Sequence, residues 1–266
     1  MTTIIAIFLA LFGAAIASFL SVVIHRVKSG KKGIVTGRSM CPHCKKQLKW
    51  HHLLPVFSFM ALRGKCAFCN KKISKHYFAL ELLMAAVLVI VFLNFNFVAT
   101  PGRDIDWVVF EKFVFYAVES VLLVLIFFYD LLYQEIPDKF SFPAIAIAIA
   151  GIIIFGAPHY LSALIGLGII AVFFGGQIAI SKGEWLGGGD LRLGAIMALL
   201  LGYESLIVSL VLSYLIGALV SIPLLLLGKA TRKTAIPFGP FLITATFIGI
   251  FLGEEIIRVY FMYLLP

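Results

Sequence analysis

The sequence predicts an all-α protein that crosses a membrane several times, with about eight transmembrane helices and a small zinc-ribbon-like insertion. Hydrophobic residues make up 62% of the 266-residue chain and charged residues only 13%. Soluble domains average about 45–50% apolar and about 25% charged residues. The apolar residues also form long uninterrupted blocks, and all four cysteines lie in one polar loop. A helical membrane protein with one small polar insertion accounts for all three observations.

Eight apolar segments have the length, or nearly the length, that a helix needs to cross about 30 Å of hydrocarbon. They cover residues 3–24, 77–98, 108–129, 141–155, 160–180, 191–202, 205–227 and 237–265. The sixth segment is the shortest and would extend only about 18 Å as a helix. We therefore expect irregular backbone near residues 187–190. The first segment has no basic residues before it, so we expect a permanent helix rather than a cleaved signal peptide.

The basic residues predict how these helices are oriented. With the N-terminus outside, the loops at 25–76, 130–140, 181–192 and 228–236 face the cytoplasm and hold 19 of the 22 Lys and Arg residues. This distribution follows the positive-inside rule. The net charge of +9 is then explained by contact with anionic lipid. The expected partner is a lipid bilayer and not a nucleic acid.

The first cytoplasmic loop, at about 25–76, forms a cysteine module. Its two Cys-x-x-Cys pairs, Cys41 with Cys44 and Cys66 with Cys69, are separated by 21 residues, which is typical of zinc ribbons. Four thiolates complete a tetrahedral site, so we expect one structural Zn²⁺ without a catalytic role. Disulfides are the alternative, and a reducing cytoplasm disfavours them. We predict an N-terminal region at 1–98, which contains this module, and a second, transmembrane domain at 99–266.

Two aspartates are the candidate catalytic residues. Asp130 ends the third segment and Asp190 begins the sixth, so both are expected at the cytoplasmic ends of their helices. Charged residues at such positions are functional candidates. Two carboxylates at short range do not both ionise easily, so one keeps its proton. One aspartate can then activate water while the other donates a proton to the peptide oxygen, as in aspartyl proteases.

The residues around the aspartates have simpler roles. Gly187, Gly188 and Gly189 lack side chains, so a substrate strand can approach their backbone closely, although a flexible turn is the alternative. Asp138 follows Pro137 and is predicted to be a structural residue at a helix start. The roles of Glu81 and Glu119, which fall inside apolar segments, are not assigned by the sequence.

Seven short motifs occur in an order that is typical of one family. They are Ser-Phe-Leu at 18–20, Cys-Pro-His-Cys at 41–44, Leu-Arg-Gly-Lys-Cys at 62–66, Glu-Leu-Leu at 81–83, Ile-Pro-Asp at 136–138, Gly-Gly-Gly-Asp at 187–190 and Ile-Pro-Phe-Gly-Pro-Phe at 236–241. In this combination the chain resembles the type IV prepilin peptidases, which are GxGD-type membrane proteases. The family usually has Gly and Asn where this chain has Ala17 and Ser21.

The resemblance implies a bifunctional enzyme of the bacterial cytoplasmic membrane. Such an enzyme cleaves the basic leader of type IV prepilins or type II secretion pseudopilins just before the apolar helix of the mature protein, with Asp130 and Asp190 as the catalytic residues. It also implies methylation of the new N-terminus from S-adenosyl-L-methionine, whose binding residues are unknown. The alternatives are a peptidase without methyltransferase activity, a presenilin-like intramembrane protease and a non-enzymatic transporter. The sequence does not identify the pilin served or the oligomeric state.

Overall fold

The computed structural model describes residues 2–30, 39–41, 43–98, 105–229, 231 and 234–264. Sequence predictions that involve residues 31–38, Pro42, Arg103 and Leu265 lie outside these residues. The helices are α1 (Thr2–Lys28), α2 (Phe57–Ala61), α3 (Lys75–Asn94), α4 (Trp107–Tyr133), α5 (Asp138–Phe155), α6 (Tyr160–Ser181), α7 (Gly188–Leu226) and α8 (Gly239–Leu264), with a 3-10 turn at Trp50–His52. In the described residues β-structure is limited to two isolated bridges, in the cysteine module. The predicted all-α class is confirmed.

Seven of the described helices are long and apolar enough to cross a membrane, which makes this a multi-pass membrane protein. The count differs from the predicted eight because α7, at 39 residues, covers both the sixth and the seventh predicted segments. Its backbone is not helical at Gly202, where φ is 69° and ψ is 174°. The irregular backbone predicted near residues 187–190 therefore lies at Gly202 instead, since the helix begins at Gly188.

Gly202 divides α7 into a first arm (residues 188–201) and a second arm (residues 203–226). Both arms run along α8. A Cβ on Gly239 would lie 3.2 Å from Leu193 of the first arm, and one on Gly217 of the second arm would lie 3.2 Å from Phe241. Both arms thus reach the first turn of α8. The chain reverses direction at Gly202, where the sequence separates its two apolar segments.

The hydroxyl of Ser162 stabilises this reversal. It accepts a hydrogen bond from the backbone N–H of Tyr203 at 3.1 Å, a group that the break in the helix leaves without its usual carbonyl. A Cβ on Gly202 would lie 2.5 Å from the same oxygen. The positive φ and the close hydroxyl both explain why glycine occupies this position.

The chain forms two compact units, Met1–Leu125 and Ile126–Pro266, and the division falls inside α4. In the first unit α1 packs against α3. A Cβ on Gly13 would lie 2.9 Å from the Met84 carbonyl oxygen, so a small residue allows this close approach. In the second unit α7 packs against α5, α6 and α8. Pro137 is the N-cap of α5 and Asp138 lies in its first turn, which confirms the predicted helix start.

Candidate functional site

Asp130 lies near the end of α4 and is buried, with 5% of its surface exposed. Its Oδ2 accepts a hydrogen bond from the backbone N–H of Gly239 at 3.0 Å. Gly239 begins α8, so the carboxylate binds one of the N–H groups that an α-helix leaves unpaired at its start. The partial positive charge of a helix N-terminus favours a carboxylate at this position.

Gly239 leaves no room for a side chain beside Asp130. A Cβ there would lie 2.6 Å from Asp130 Oδ2 and 3.2 Å from Leu193 Cδ1. The sequence analysis included Gly239 only as part of a motif and gave it no role. Its contact with Asp130 joins residues 109 positions apart, which no local pattern can reveal.

Asp190 lies in the first turn of α7 and is bound by the backbone at the start of its own helix. Its Oδ2 accepts a hydrogen bond from the backbone N–H of Gly187, the N-cap residue, at 3.1 Å. The side chain is half-buried, whereas that of Asp130 is buried. Each aspartate therefore accepts a backbone N–H at the start of a different helix.

The two predicted aspartates lie within electrostatic range of each other, and their role as a catalytic pair stays a prediction. The carboxylates of Asp130 and Asp190 lie close enough to interact electrostatically, although 60 residues separate them in the chain. Both belong to the second compact unit. Two neighbouring carboxylates that share a proton form the arrangement in which one group accepts a proton and the other donates one.

Arg192 connects the loop after Asp130 to the start of α7. Its Nη2 donates to the carbonyl oxygen of Ile136 at 3.1 Å, and its Nη1 forms an ion pair with Asp138. The guanidinium also lies 5.7 Å from the ring of Phe142. Arg192, two residues after Asp190, thus holds the loop that follows Asp130 against the start of α7. In the sequence the only sign of this role is an arginine in the first turn of an apolar segment, and no role was predicted for it.

The glycines before Asp190 differ in their surroundings. A Cβ on Gly189 would lie 2.8 Å from Ile136 Cβ, so packing of the Asp130 loop requires glycine there. A Cβ on Gly188 would meet no atom within 4 Å. Gly187 and Gly188 are exposed beside Asp190. The approach of a substrate to these glycines stays a prediction.

The two cysteine pairs adopt the same turn. The N–H of Cys41 donates to the Lys46 carbonyl at 3.0 Å, and the N–H of Cys66 donates to the Lys71 carbonyl at 2.9 Å. In each turn the residue after the second cysteine has a positive φ, 60° at Lys45 and 55° at Asn70. This repeated geometry directs both sulfurs of each pair to the same side.

The four sulfurs, those of Cys41, Cys44, Cys66 and Cys69, lie within 4.8 Å of one another and could hold a metal ion. The cysteines are free, and the sulfurs of Cys41 and Cys69 are 3.9 Å apart. Tetrahedral zinc with bonds of about 2.3 Å separates its sulfur ligands by about 3.8 Å. The observed spacing fits such a site and is far longer than a disulfide bond.

The thiols of this cluster have unequal acidities. A hydrogen bond from the backbone N–H of Cys44 lowers the pKa of Cys41 to about 6, although burial opposes it. The backbone N–H of Lys71 lowers the pKa of Cys69, but burial and the neighbouring sulfurs outweigh it and raise that pKa to about 11. Four sulfurs at this spacing become thiolates together only when a cation balances their charge.

Two further acids lie in the first unit. Glu81 of α3 accepts a hydrogen bond from the backbone N–H of Val56 at 2.7 Å, so it holds the chain between the cysteine pairs against the helix. Val56 has a positive φ of 62°, which is strained for a β-branched residue. Glu119 of α4 is 1% exposed, and both carboxylate oxygens lack a hydrogen-bond partner among the described residues.

Comparison with known proteins defines the class. A model of the Bacterial Peptidase A24 N-terminal domain matches residues 11–95, and a model of the Type IV leader peptidase family matches residues 117–222. The first match contains the cysteine module and the second contains both aspartates. No solved structure gives a significant match.

Curated relatives resemble nearly the whole chain. A prepilin leader peptidase/N-methyltransferase from Aeromonas hydrophila is 30% identical, over 94% of this chain and 91% of the relative. Proteins of the same name from Bacillus subtilis and Pseudomonas aeruginosa are 28% and 27% identical, over 85% and 95% of this chain and 86% and 92% of the relatives. The chain belongs to the type IV leader peptidase family.

Proposed function

We propose that this protein is a membrane aspartyl endopeptidase that removes the basic leader of type IV prepilins or pseudopilins and then methylates the new N-terminus. The proposal rests on the positions of Asp130 and Asp190, which belong to different helices, lie within electrostatic range of each other and each accept a backbone N–H at a helix start. Family membership supports the substrate class, since relatives that cover most of the chain are named for both activities.

In the proposed reaction the aspartates act as one unit. The ionised carboxylate takes a proton from water, and the water oxygen attacks the carbonyl carbon of the scissile peptide bond. The protonated carboxyl donates its proton to the carbonyl oxygen. Collapse of the intermediate breaks the C–N bond, and a proton passes to the leaving amine. No covalent intermediate with the protein forms.

Backbone contacts hold the unit in place. The N–H groups of Gly239 and Gly187 each bind one oxygen of an aspartate, which leaves the rest of each carboxyl group for water and substrate. Arg192 holds the loop after Asp130 through the Ile136 carbonyl. Positioning of this kind keeps the reacting groups within reach and so contributes to the rate. Gly188 supplies open backbone along which the substrate strand approaches.

Family membership also supports a methyltransferase activity with S-adenosyl-L-methionine as the methyl donor. The free amine left by cleavage attacks the donor's methyl group, the bond from carbon to sulfonium breaks, and the amine loses a proton. We propose that the cysteine module and the adjoining helix ends contribute to this site. The four cysteines fit Zn²⁺, and this ion would be structural because four thiolates leave no position for a reacting ligand.

The proposed organisation places an N-terminal region at 1–98 and the transmembrane peptidase domain at 99–266. The positive-inside rule supports a bacterial cytoplasmic membrane with the aspartates on the cytoplasmic side, because the loops beside them share the side that is rich in Lys and Arg. That side also contains the prepilin leader before export.

The test is incubation of the purified protein in liposomes with a prepilin, followed by mass spectrometry of the product. We expect one cut between the leader and the apolar helix, and a mass increase of one methyl group only when S-adenosyl-L-methionine is present. A cut inside the apolar helix would indicate a presenilin-like protease instead. Cleavage without methylation at saturating donor would restrict the activity to that of a peptidase, and an intact prepilin would refute the proposal.

A further inference from the structure

An apolar groove runs between α6 and the second arm of α7. It encloses about 490 Å³. The residues that line it are Ile169, Phe173, Ile207, Leu210, Val211, Tyr214 and Leu215. The five from α7 follow helical spacing and form one continuous face. Much of this face is open to the surroundings, with 46% of Ile207 and 55% of Val211 exposed.

One end of the groove lies beside the aspartate pair. The ring centroid of Tyr214 is 5.0 Å from that of Phe238, the residue before Gly239. Gly239 in turn donates to Asp130. Tyr214 is also close enough to Asp190 to interact electrostatically with it. Tyr214 therefore lies both in the lining of the groove and against the residue that precedes Gly239, the backbone partner of Asp130.

The reversal of α7 at Gly202 determines the direction of the groove. Asp190 on the first arm and Tyr214 on the second are equally distant from Gly202 in sequence, so they lie at similar depth. From Tyr214 to Ile207 the groove follows the second arm for about 10 Å toward the bend. It thus leads from the aspartates into the apolar interior of the membrane.

A polar pair marks the end of the groove at the aspartates. The side chain of Tyr214, the polar residue among the lining side chains, hydrogen-bonds at 3.2 Å with that of Gln177, one helical turn after the lining residue Phe173. Polar side chains within membrane helices are costly and are retained for a reason. A lipid tail offers them no hydrogen bond. The first turn of an α-helix does, because its N–H groups lack partners.

We propose that this groove binds the apolar α-helix that follows the cleaved bond of the substrate. The start of that helix lies at Gln177 and Tyr214, its apolar side covers Val211 and Ile207, and the scissile bond lies at the aspartates. This inference rests on the proposed peptidase function and adds the surface that recognises the mature part of the substrate. With the helix start fixed in this way, the peptide bond that reaches the aspartates lies at a set distance before the apolar helix of the substrate.

The test compares two substrates. One is a full prepilin, and the other is a short peptide that contains the leader and the cleavage site but no apolar helix. Val211→Trp fills the groove. The matched control is Val172→Trp on α6, because Val172 is 79% exposed and does not line the groove. We expect Val211→Trp to raise KM for the prepilin by about tenfold or more and to leave peptide cleavage unchanged. The control should match the unmodified protein on both substrates.

Equal KM values of the Val211→Trp variant and the control for the prepilin would overturn the proposal. Failure of the unmodified protein to cleave either substrate would instead refute the peptidase function itself. A photo-crosslinking amino acid at position 211 provides an independent measurement that does not depend on tolerance of tryptophan. We expect crosslinks to the apolar helix of the prepilin, and crosslinks to lipid alone would also overturn the proposal.

Discussion

The cysteine module and the aspartate pair differ in how far apart along the chain their parts lie. Each cysteine pair is contained in one short turn, and the two turns repeat the same hydrogen bonds. The aspartates depend instead on Gly239, 109 residues after Asp130, and on Arg192, 56 residues after Ile136. A local site can be recognised from spacing, whereas a site assembled from distant segments depends on residues whose role only the fold shows.

The largest expected effect comes from the aspartates. Asp130→Asn or Asp190→Asn preserves size but removes the proton exchange that the attack by water requires. Each change should lower the rate of prepilin cleavage by at least about 10³-fold, and the double change should cost little more, because the residues act as one unit. Cleavage measured by mass spectrometry, on variants that still insert in the membrane, tests this.

Asp138→Asn is the control for this prediction. The Asp138 side chain is 63% exposed and pairs with Arg192 at the start of α5. Exposed ion pairs contribute at most about 1 kcal/mol, so the variant should keep most of its activity. Near-complete loss in Asp138→Asn together with an active Asp130→Asn would place the first catalytic acid at Asp138.

Gly239→Ala tests whether the hydrogen bond from the Gly239 backbone positions Asp130 for catalysis. The added Cβ would lie 2.6 Å from Asp130 Oδ2, so either the carboxylate or the start of α8 must move. We expect a fall in kcat of about 10²-fold, similar to the loss of one positioned donor in other enzymes. Gly168→Ala on α6 is the matched control, since its Cβ would meet nothing within 4 Å. Equal kcat values for the two variants would contradict a positioning role for Gly239.

Gly188→Ala tests the approach of substrate along the glycines, with a smaller expected effect. Because the new Cβ meets no atom of this protein within 4 Å, the fold should be unchanged. We expect KM to rise by about three- to tenfold if a substrate strand lies against this backbone. Thermal unfolding and KM measured together distinguish the two effects. An unchanged KM would exclude close approach at Gly188.

Cys41→Ser should reduce prepilin cleavage less than the other substitutions, because it alters the cysteine module and not the aspartate site. The variant should lose the single zinc ion per chain, and the cysteine module should become sensitive to protease, since metal binding and folding of such modules are coupled. His43→Ser is the matched control in the same turn and should retain zinc, because His43 lies outside the four-sulfur cluster. Elemental analysis that finds no zinc in the unmodified protein would refute the metal assignment.

The sequence predicted the elements that depend on local patterns. Apolar segments long enough to span a membrane identified the helices, because burial in lipid requires such segments directly. The start of α5 at Asp138 followed from Pro137, whose fixed φ favours the first turn of a helix. The cysteine cluster followed from the spacing within each pair.

The elements that were missed depend on tertiary contacts. Irregular backbone was expected near residues 187–190 because the sixth apolar segment is too short to span a membrane as a helix. The structure shows helix from Gly188, since the packing of Gly189 on Ile136 stabilises it. The break lies at Gly202, where the sequence separates the sixth and seventh apolar segments, but the sequence does not show why glycine is needed there. Its role appears only beside the hydroxyl of Ser162.

The hydrogen bond between Asp130 and Gly239 can form only after both residues have been synthesised. Gly239 begins α8, the last helix among the described residues, so Asp130 leaves the ribosome 109 residues before its N–H partner. At roughly 5–20 residues per second this interval lasts roughly 5 to 20 s. For the last 49 residues of that interval, from Asp190 to Gly239, the nascent chain contains both carboxylates but not the contact that holds Asp130. Asp130 therefore gains this backbone partner only after the first turn of α8 has been synthesised.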